Sequence, residues 1–458
     1  MSLLPSIFSD ATPGTPVSTR TVLRLSYAQA VLFAIYTTST SSMFLVGFAM
    51  LLGKDLHPDR LNVLIGLMTT FPMFCVIGQL LSAMRVERGV SRRGLAFYAG
   101  LVNALLWPLI VLIPVVGARV SLSSEHQLYA LIALVTLIAF FLNICLNARA
   151  TWIGDLIPER IRGPYFGRMT MFAAIIGTAS AIIVGAGMDY IKTMGPTAFS
   201  LLFVFGTIFG LGNVLLFRPQ PDTPPARTEP IPFGRLFVNT FKNKPLLAAT
   251  GFMLVIMLQA VAGPFYAKYV FDIGVSFFGL SILNAVFAGA MLISAPFWGR
   301  MVKRFGCRPV MILAVLILGP VQTVWIFVDT PERFYWLIPP ANILAGLANG
   351  ALAVGSNTLL YKVTPAVGRS VQLAIQAIVV AIVAAPLPFF GGHLPPFLRS
   401  LGIESADLRW TFYLAGTCHL LGGLVGKLIR EDNAQPLSRL IKHLLNGNAF
   451  RRQQDNRA

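Results

Sequence analysis

A band of hydroxyl side chains interrupts the first long apolar run of the sequence. Residues Tyr36 to Ser42 read YTTSTSS, seven in a row, between AQAVLFA and MFLVGFAML. Seven consecutive residues cover almost two helical turns, so they cannot all share one face. Thr37, Thr40 and Ser41, three and four residues apart, would share one side and offer uncharged hydrogen-bonding groups. The alternative is that these hydroxyls bond to carbonyls one turn earlier or to a neighbouring helix.

Side-chain amides in later apolar runs favour the same chemistry. Asn143 and Asn147 are four residues apart, and Asn342, Asn349 and Ser356 follow at intervals of seven, so each group lies on one helix face. A buried amide without partners costs several kcal/mol in hydrocarbon. Interhelical hydrogen bonding would satisfy each amide alone. Recognition of a neutral or zwitterionic organic solute would explain the polar residues together.

The residue types that catalysis or metal binding needs are missing from the apolar runs. Of five histidines only His419 lies in such a run, and no carboxylate does. A membrane enzyme would need a nucleophile, a base or metal ligands at one depth. Cys75, Cys145, Cys307 and Cys418 show no paired spacing. We therefore expect no enzymatic activity, no metal site and no cofactor.

The composition predicts a polytopic helical membrane protein. The 458 residues are 55% hydrophobic and 12% charged, with a mean hydropathy of +0.72, whereas soluble domains carry about 25% charged residues. The apolar runs are about twenty residues long, as membrane helices require. The twelve predicted spans are 28–52, 62–84, 94–117, 127–148, 170–188, 197–217, 246–267, 276–299, 309–328, 334–361, 371–391 and 410–427.

The positive charges are concentrated in alternate loops of the predicted topology. Alternate loops, with both termini, carry essentially the whole net charge of +18, and the other loops are close to neutral. Because positive residues gather on the cytoplasmic side, both termini are predicted to be cytoplasmic. The charge then reflects topology, so no nucleic-acid partner is expected. Every Asp, Glu, Lys and Arg is predicted to fall in a loop or at a helix end, and Lys268, Asp189, Arg149 and Lys362 lie nearest to the apolar interior.

Two local matches indicate an internal repeat. Pro158 and Arg162, after the fourth span, correspond to Pro365 and Arg369 after the tenth. The basic loops after the second and eighth spans correspond in the same way. Repeated halves around a central site are the architecture of many secondary transporters.

The sequence resembles the major facilitator superfamily along its whole length. In that family the loop after the fourth helix often reads Pro-x-x-x-Arg-Gly-x-x-x-Gly, and PERIRGPYFG, starting at Pro158, matches it fully. The loop after the second helix reads Gly-x-x-x-Asp-Arg-x-Gly-Arg-Arg. GRMVKRFGCR keeps Gly299, Arg304 and Arg308 of this pattern, but Lys303 stands in the acidic position. AMRVERGVSR is similar, with an acid in place at Glu87.

The resemblance implies transport by alternating access, with the first, fourth, seventh and tenth helices around a central cavity. The polar residues on those helices are the candidate solute-binding residues: Thr37, Thr40, Ser41, Asn143, Asn147, Gln259, Tyr266, Asn342, Asn349 and Ser356. A charge network that closes the cytoplasmic side has as candidates Glu87, Arg88, Arg92, Asp155, Arg162, Arg168, Arg304, Arg308 and Arg369. The alternative for most of these charges is that they only fix topology.

The sequence also departs from the family. Proton-coupled members commonly carry an Arg within the fourth helix, and drug/proton antiporters a Gly-Pro pair in the fifth; neither occurs in the predicted spans. Drug antiport and proton coupling are therefore not predicted. The expected solute is small, organic and neutral or zwitterionic. A transport-inactive sensor or assembly factor on the same scaffold is the alternative.

Four segments organise the chain: an N-terminal six-helix half (1–217), a cytoplasmic linker (218–245), a C-terminal six-helix half (246–429) and a basic cytoplasmic tail (430–458). We expect a monomer in the bacterial inner membrane, in contact with lipid and a small-molecule solute.

Three further patterns bear on packing. Amphipathic stretches in the linker and around Leu437 to Leu444 are typical of helices on an anionic membrane surface. Gly346 and Gly350, four residues apart, predict close contact between helices.

Overall fold

In the computed structural model, all regular secondary structure among the described residues is helical. These residues are 17–157, 159–222, 240–364, 369–431 and 434–446. The chain divides into two compact units. Unit 1 takes in the described residues up to 222 together with 266–285, and unit 2 takes in 240–265 and the described residues from 286 onward. The predicted segment boundaries remain a prediction.

The helices of the first five spans are the following: α1 (Val17–Ser39), α2 (Ser42–Leu52), α3 (Pro58–Phe74), α4 (Ile77–Glu87), α5 (Arg92–Arg119), α6 (Ser124–Leu156) and α7 (Glu159–Ile191). The next four spans contain α8 (Pro196–Leu215), α9 (Lys244–Met257), α10 (Phe265–Asp272), α11 (Phe277–Phe305) and α12 (Cys307–Thr323). The remainder are α13 (Pro331–Val363), α14 (Arg369–Ala384), α15 (Leu387–Ser400), α16 (Arg409–Val425) and α17 (Leu437–Leu445).

Eleven helical segments in the described residues are long and apolar enough to cross a membrane. They correspond to the first eleven predicted spans. The twelfth predicted span, 410–427, is α16, which has 17 residues and continues into a short 3₁₀ turn. The predicted all-helical polytopic architecture is confirmed.

Four spans consist of two helices in series, which the hydropathy pattern did not predict. Span 1 breaks between Ser39 and Ser42, and span 7 contains a 3₁₀ segment, Leu258–Ala262. Pro72 lies in the last turn of α3, and Pro386 precedes α15. Because proline has no N–H to donate to the preceding turn, both prolines favour an interruption there.

Several helices extend beyond the predicted spans. α6 has 33 residues, about 50 Å at 1.5 Å per residue, whereas the hydrocarbon core is about 30 Å thick. The candidate membrane segments are Ser124–Ile153 and Lys244–Asp272, so Arg149 and Lys268 lie inside them. Each of these two residues lies four residues from the end of its segment, as expected for a charge at a helix end. The apolar run ends at the charged residue, but the helix continues beyond it.

Each unit has its own hydrophobic core. In unit 1 the core surrounds Trp152, which is fully buried and stacks edge-on against Phe217. In unit 2 the core is centred on α12, where Met311 and Val315 are fully buried.

The C-terminal helix packs on protein rather than on the membrane surface. Leu440 of α17 is fully buried, and Leu437 and Leu444 pack against the core of unit 2. The expectation of a membrane-surface helix is therefore wrong for α17. The linker stretch around Phe233 and Phe237 lies outside the described residues.

Candidate functional site

The hydroxyl band marks a break in span 1. α1 ends at Ser39 and α2 begins at Ser42, and Ser41 between them has an extended backbone. The hydroxyls of Thr37, Ser39 and Thr40 each donate to a carbonyl four residues earlier, at 2.8 to 2.9 Å. These contacts support the alternative that the three hydroxyls bond to carbonyls one turn earlier in the same helix. The oxygens keep lone pairs with which to accept further hydrogen bonds.

Tyr36 fixes the rotation of α1. Its hydroxyl donates to Oδ1 of Asn103 at 2.7 Å and accepts from Nε1 of Trp107 at 2.6 Å. Asn103 donates in turn to the carbonyl of Ile138 at 2.9 Å. This buried network joins spans 1, 3 and 4. Because successive helix positions are about 100° apart, Thr37 is turned away from α5.

The predicted amides use their own helices as partners. Asn143 donates to the carbonyl of Ala139, and Asn349 to that of Ala345, each at 2.9 Å. Asn143 also accepts from Nε2 of Gln79 at 2.8 Å. Hydrogen bonds within and between helices thus satisfy some of the polar atoms of these side-chain amides.

A cavity of about 310 Å³ lies within unit 1, between α1, α6 and α7. This volume, roughly that of ten water molecules, is at the lower end of the range for small-molecule pockets. Its polar lining comes from Thr37, Thr38, Thr170 and Arg149. The hydroxyl of Thr38 donates to the carbonyl of Gly177 at 3.3 Å. The remaining walls are small or apolar side chains.

Arg149 is the charged group of this cavity. Its guanidinium carbon lies 5.5 Å from the centre of the Phe33 ring and 5.9 Å from that of Phe217. Its Nε is buried without a hydrogen-bond partner. The ion pairs between described residues do not include it. α6 continues past Arg149 to Leu156, so the fourth helix carries an arginine near its end, just beyond the predicted span 127–148.

The sequence contained a signal that Arg149 lies within the helix. The apolar pattern resumes after it, with Trp152 and Ile153 completing a face that begins at Cys145. All three of these residues are buried.

The ten predicted solute-binding residues are divided between the units. Thr37 lines the cavity. Thr40 packs toward Gly206 of span 6. A Cβ added at Gly206 would lie 3.1 Å from the methyl group of Thr40. Ser41, Asn143, Asn147 and Tyr266 also belong to unit 1. Those in unit 2 are Gln259, Asn342, Asn349 and Ser356. Apart from the placement of Thr37, their joint role remains a prediction.

The predicted charge network also remains a prediction. The side chains of four members lie outside the described residues: Glu87, Asp155, Arg162 and Arg369. Those of Arg88, Arg168 and Arg304 are exposed, and those of Arg92 and Arg308 are half-buried. Arg304 approaches Nε2 of His443, in α17, to 3.3 Å. Burial and the Arg304 charge together hold the pKa of His443 below its usual value of 6.5.

A carboxylate that the sequence analysis missed lies at the start of α12. Glu431 accepts from the backbone N–H groups of Cys307 and Arg308 at 3.0 and 2.8 Å, and from Nζ of Lys362 at 2.9 Å. We call these four residues the C-terminal clasp. Burial alone would raise the pKa of Glu431, but these donors outweigh it and hold the pKa below its usual value of 4.5.

A second missed contact, the α7–α11 contact, lies within unit 1. Asp189 accepts from the backbone N–H groups of Phe277 and Phe278 at 3.2 and 2.8 Å. One turn earlier, a Cβ at Gly185 would lie only 3.0 Å from the Cβ of Ser281. Glycine at this position therefore permits the close approach.

Helices of membrane-crossing length beside a largely apolar cavity of small-molecule size fit a membrane transport protein. The sequence model of the Major Facilitator Superfamily matches residues 31–266 and 248–450. The chain belongs to this family, and the predicted resemblance is confirmed.

The relatives and structural neighbours are transporters. Multidrug resistance protein MdtG of Proteus mirabilis is 25% identical over 270 residues, which cover 57% of this chain and 64% of that protein. Multi-drug resistance efflux pump PmrA of Streptococcus pneumoniae is 24% identical over 307 residues, which cover 65% and 72%. The chain thus spans about two thirds of the length of these relatives.

Two solved structures show the same fold. A D-xylose-proton symporter superimposes with a TM-score of 0.67 at 15% identity, covering 92% of this chain and 98% of that one. The nucleoside transporter NupG gives a TM-score of 0.59 at 12% identity, covering 90% and 99%.

Proposed function

We propose that the protein carries a small organic solute, neutral or zwitterionic, across the membrane by alternating access between its two six-helix halves. The observation that supports this most is the cavity between α1, α6 and α7. It combines apolar walls with the oxygens of Thr37 and Thr38, whose hydrogens already go to carbonyls. Such oxygens accept hydrogen bonds from a solute without imposing a charge.

The proposal extends to topology and location. The positive loops support cytoplasmic termini, and the bacterial relatives support the inner membrane. We assign the protein a carrier role without enzymatic activity and expect it to work as a monomer. Because the relatives are a multidrug resistance protein and a multi-drug resistance efflux pump, drug-like compounds are the second solute class to test.

A stability screen tests for the solute. Solute at a hundred times its dissociation constant should stabilise the folded protein by about 2.7 kcal/mol. We expect a hit among sugars, polyols or amino acids, measured as the melting temperature (Tm) of purified full-length protein. The hit should weaken in Thr37→Val and persist in Ser39→Ala, which removes a buried hydroxyl of the same helix that does not line the cavity. Hits confined to multiply charged anions would contradict the proposed solute class.

A reversible disulfide cross-link between α7 and α11 tests alternating access. For residues 266–285 to leave the helices of unit 1 during transport, the α7–α11 contact must open. We therefore expect the Gly185→Cys, Ser281→Cys double variant, with the four native cysteines replaced, to lose transport on oxidation. A Cβ at Gly185 would lie 3.0 Å from that of Ser281, closer than the usual 3.5 to 4.5 Å of a disulfide, so α7 and α11 must separate by about 0.5 Å for the bond to form.

The measurement is solute flux into proteoliposomes before and after reduction, with each single-cysteine variant as control. Reduction should restore the flux. Undiminished transport by the cross-linked protein would rule out this motion. Solute binding without saturable flux in any variant would instead favour the sensor or assembly factor.

A further inference from the structure

Arg149 is a half-buried cation whose Nε is shielded from solvent, and it has no counter-charge in the described part of the chain. Its Nε has no hydrogen-bond partner, and two aromatic rings, Phe33 and Phe217, flank the guanidinium. The rings attract the cation by their quadrupole but offer no oxygen acceptor. An uncompensated buried charge is strongly destabilising, whereas a paired one with satisfied donors is not. Arg149 also lines the 310 Å³ cavity, so an anion entering the cavity can supply the missing partner.

We infer that Arg149 binds the carboxylate of the transported solute, an inference that rests on the proposed carrier function. The planar guanidinium presents donors in a fork that matches the two oxygens of a carboxylate. A single cation suits a single negative charge. Multiply charged anions would leave further charge against the walls of Phe33, Met169 and Ala173.

The rest of the cavity narrows the class of solute. The hydroxyl hydrogens of Thr37 and Thr38 are donated to carbonyls of α1 and α7. Their oxygens therefore face the solute as acceptors and require a donor from it. The complementary molecule carries one carboxylate, one hydroxyl or amino donor and a compact apolar remainder. α-Amino acids with small side chains, which are zwitterions, have this composition. α-Hydroxy acids share the carboxylate and the donor, and as monoanions they would extend the proposed solute class.

Matched pairs of probes test the inference on the unaltered protein. Each probe acid, lactate, alanine or valine among them, is compared with its primary amide, which keeps the size and the donor but loses the anionic charge. The dissociation constants come from the dependence of Tm on probe concentration. We expect at least one acid to bind at least tenfold more tightly than its amide, a difference of about 1.4 kcal/mol.

Variants assign the effect to Arg149. Arg149→Gln should abolish the preference for acid over amide, and Arg149→Lys should keep part of it, because lysine retains the charge but not the fork. Arg24→Gln removes an exposed charge from α1 and should leave the preference unchanged. Protection of Arg149 from phenylglyoxal by the bound acid, read by mass spectrometry, needs no variant and remains available if Arg149→Gln fails to fold.

The outcomes separate the inference from the function on which it rests. Equal binding of acids and amides would overturn the inference, and so would a preference that survives Arg149→Gln. Stabilisation by chloride or acetate alone would also overturn it, because the cavity would then hold only a counter-ion. Saturable flux of a neutral solute, unaffected by Arg149→Gln, would retain the carrier and reject the inference. Arg149-dependent binding of an acid that is never transported would retain the site and reject the carrier.

Discussion

The Glu431→Ala variant should melt several degrees below the unaltered protein and expose Cys307 to thiol reagents. Glu431 is 5% exposed and accepts from two backbone N–H groups at the start of α12. Without it these donors and the ammonium of Lys362 lose their acceptor. Loss of a capping carboxylate costs about 2 kcal/mol. Cys307 is fully buried beneath the clasp, so opening of the clasp would admit the reagent.

The measurement combines Tm with maleimide labelling resolved by mass spectrometry. The other buried cysteines, Cys75, Cys145 and Cys418, report whether the whole protein loosens. Asp329→Asn removes a carboxylate from a solvent-exposed ion pair and should change stability by less than about 1 kcal/mol. An unchanged Tm together with a protected Cys307 in Glu431→Ala would show that the clasp adds no stability.

The same carboxylate makes a contribution that depends on pH in a defined direction. Its pKa in the folded protein is below the usual 4.5. The contribution is therefore complete above about pH 4.5 and is lost as the pH falls through the lower, folded pKa. We expect Glu431→Ala and the unaltered protein to differ in Tm at pH 7 and to converge in acid.

Gly346→Ala should be among the most destabilising single-methyl additions to unit 2. A Cβ at Gly346 would lie 2.5 Å from the carbonyl oxygen of Phe287 and 2.7 Å from the Cβ of Ala290. These atoms belong to the backbone and to a methyl group of α11, so no flexible side chain can move aside. Overpacking of this kind costs about 1 to 3 kcal/mol, and we expect a fall in Tm and in the yield of monodisperse protein.

Gly289→Ala is the matched control, because it adds the same methyl to α11 itself. No atom lies within 4 Å of a Cβ at Gly289. Since alanine favours the helix over glycine by up to about 1 kcal/mol, this variant should be neutral or slightly stabilised. Equal behaviour of the two variants would mean that α11 and α13 do not pack as closely as the structure shows.

The sequence was sufficient to predict the membrane spans and the tight packing at Gly346. Spans follow from hydropathy, because the cost of exposed backbone and charge in lipid is large for every residue. The small-residue pair at Gly346 and Gly350 predicts close contact because small residues let two helix backbones approach each other. Helix ends were less predictable: α6 continues past Arg149, whose guanidinium lies near two aromatic rings, and hydropathy does not register such contacts.

The candidate site was predicted only in part. The sequence identified Thr37, but not that Thr38 and Thr170 would join it or that Thr40 would face Gly206. The distinction depends on the rotation of α1, which Tyr36 sets through contacts with Asn103. The clasp was unpredictable for a different reason: Glu431 lies more than a hundred residues from Cys307 along the chain.

Unit 1 is not a continuous piece of the chain, and this matters for its synthesis. The hydrogen bond from the N–H group of Phe278 to Asp189 can form only after a further 89 residues have been synthesised. At the usual rate of 5 to 20 residues per second this delay is roughly 5 to 20 s. During it, the end of α7 is in the bilayer without its partner. For the same reason, a cut in the central linker would not separate two self-sufficient fragments, because the N-terminal fragment would lack residues 266–285 of its own unit.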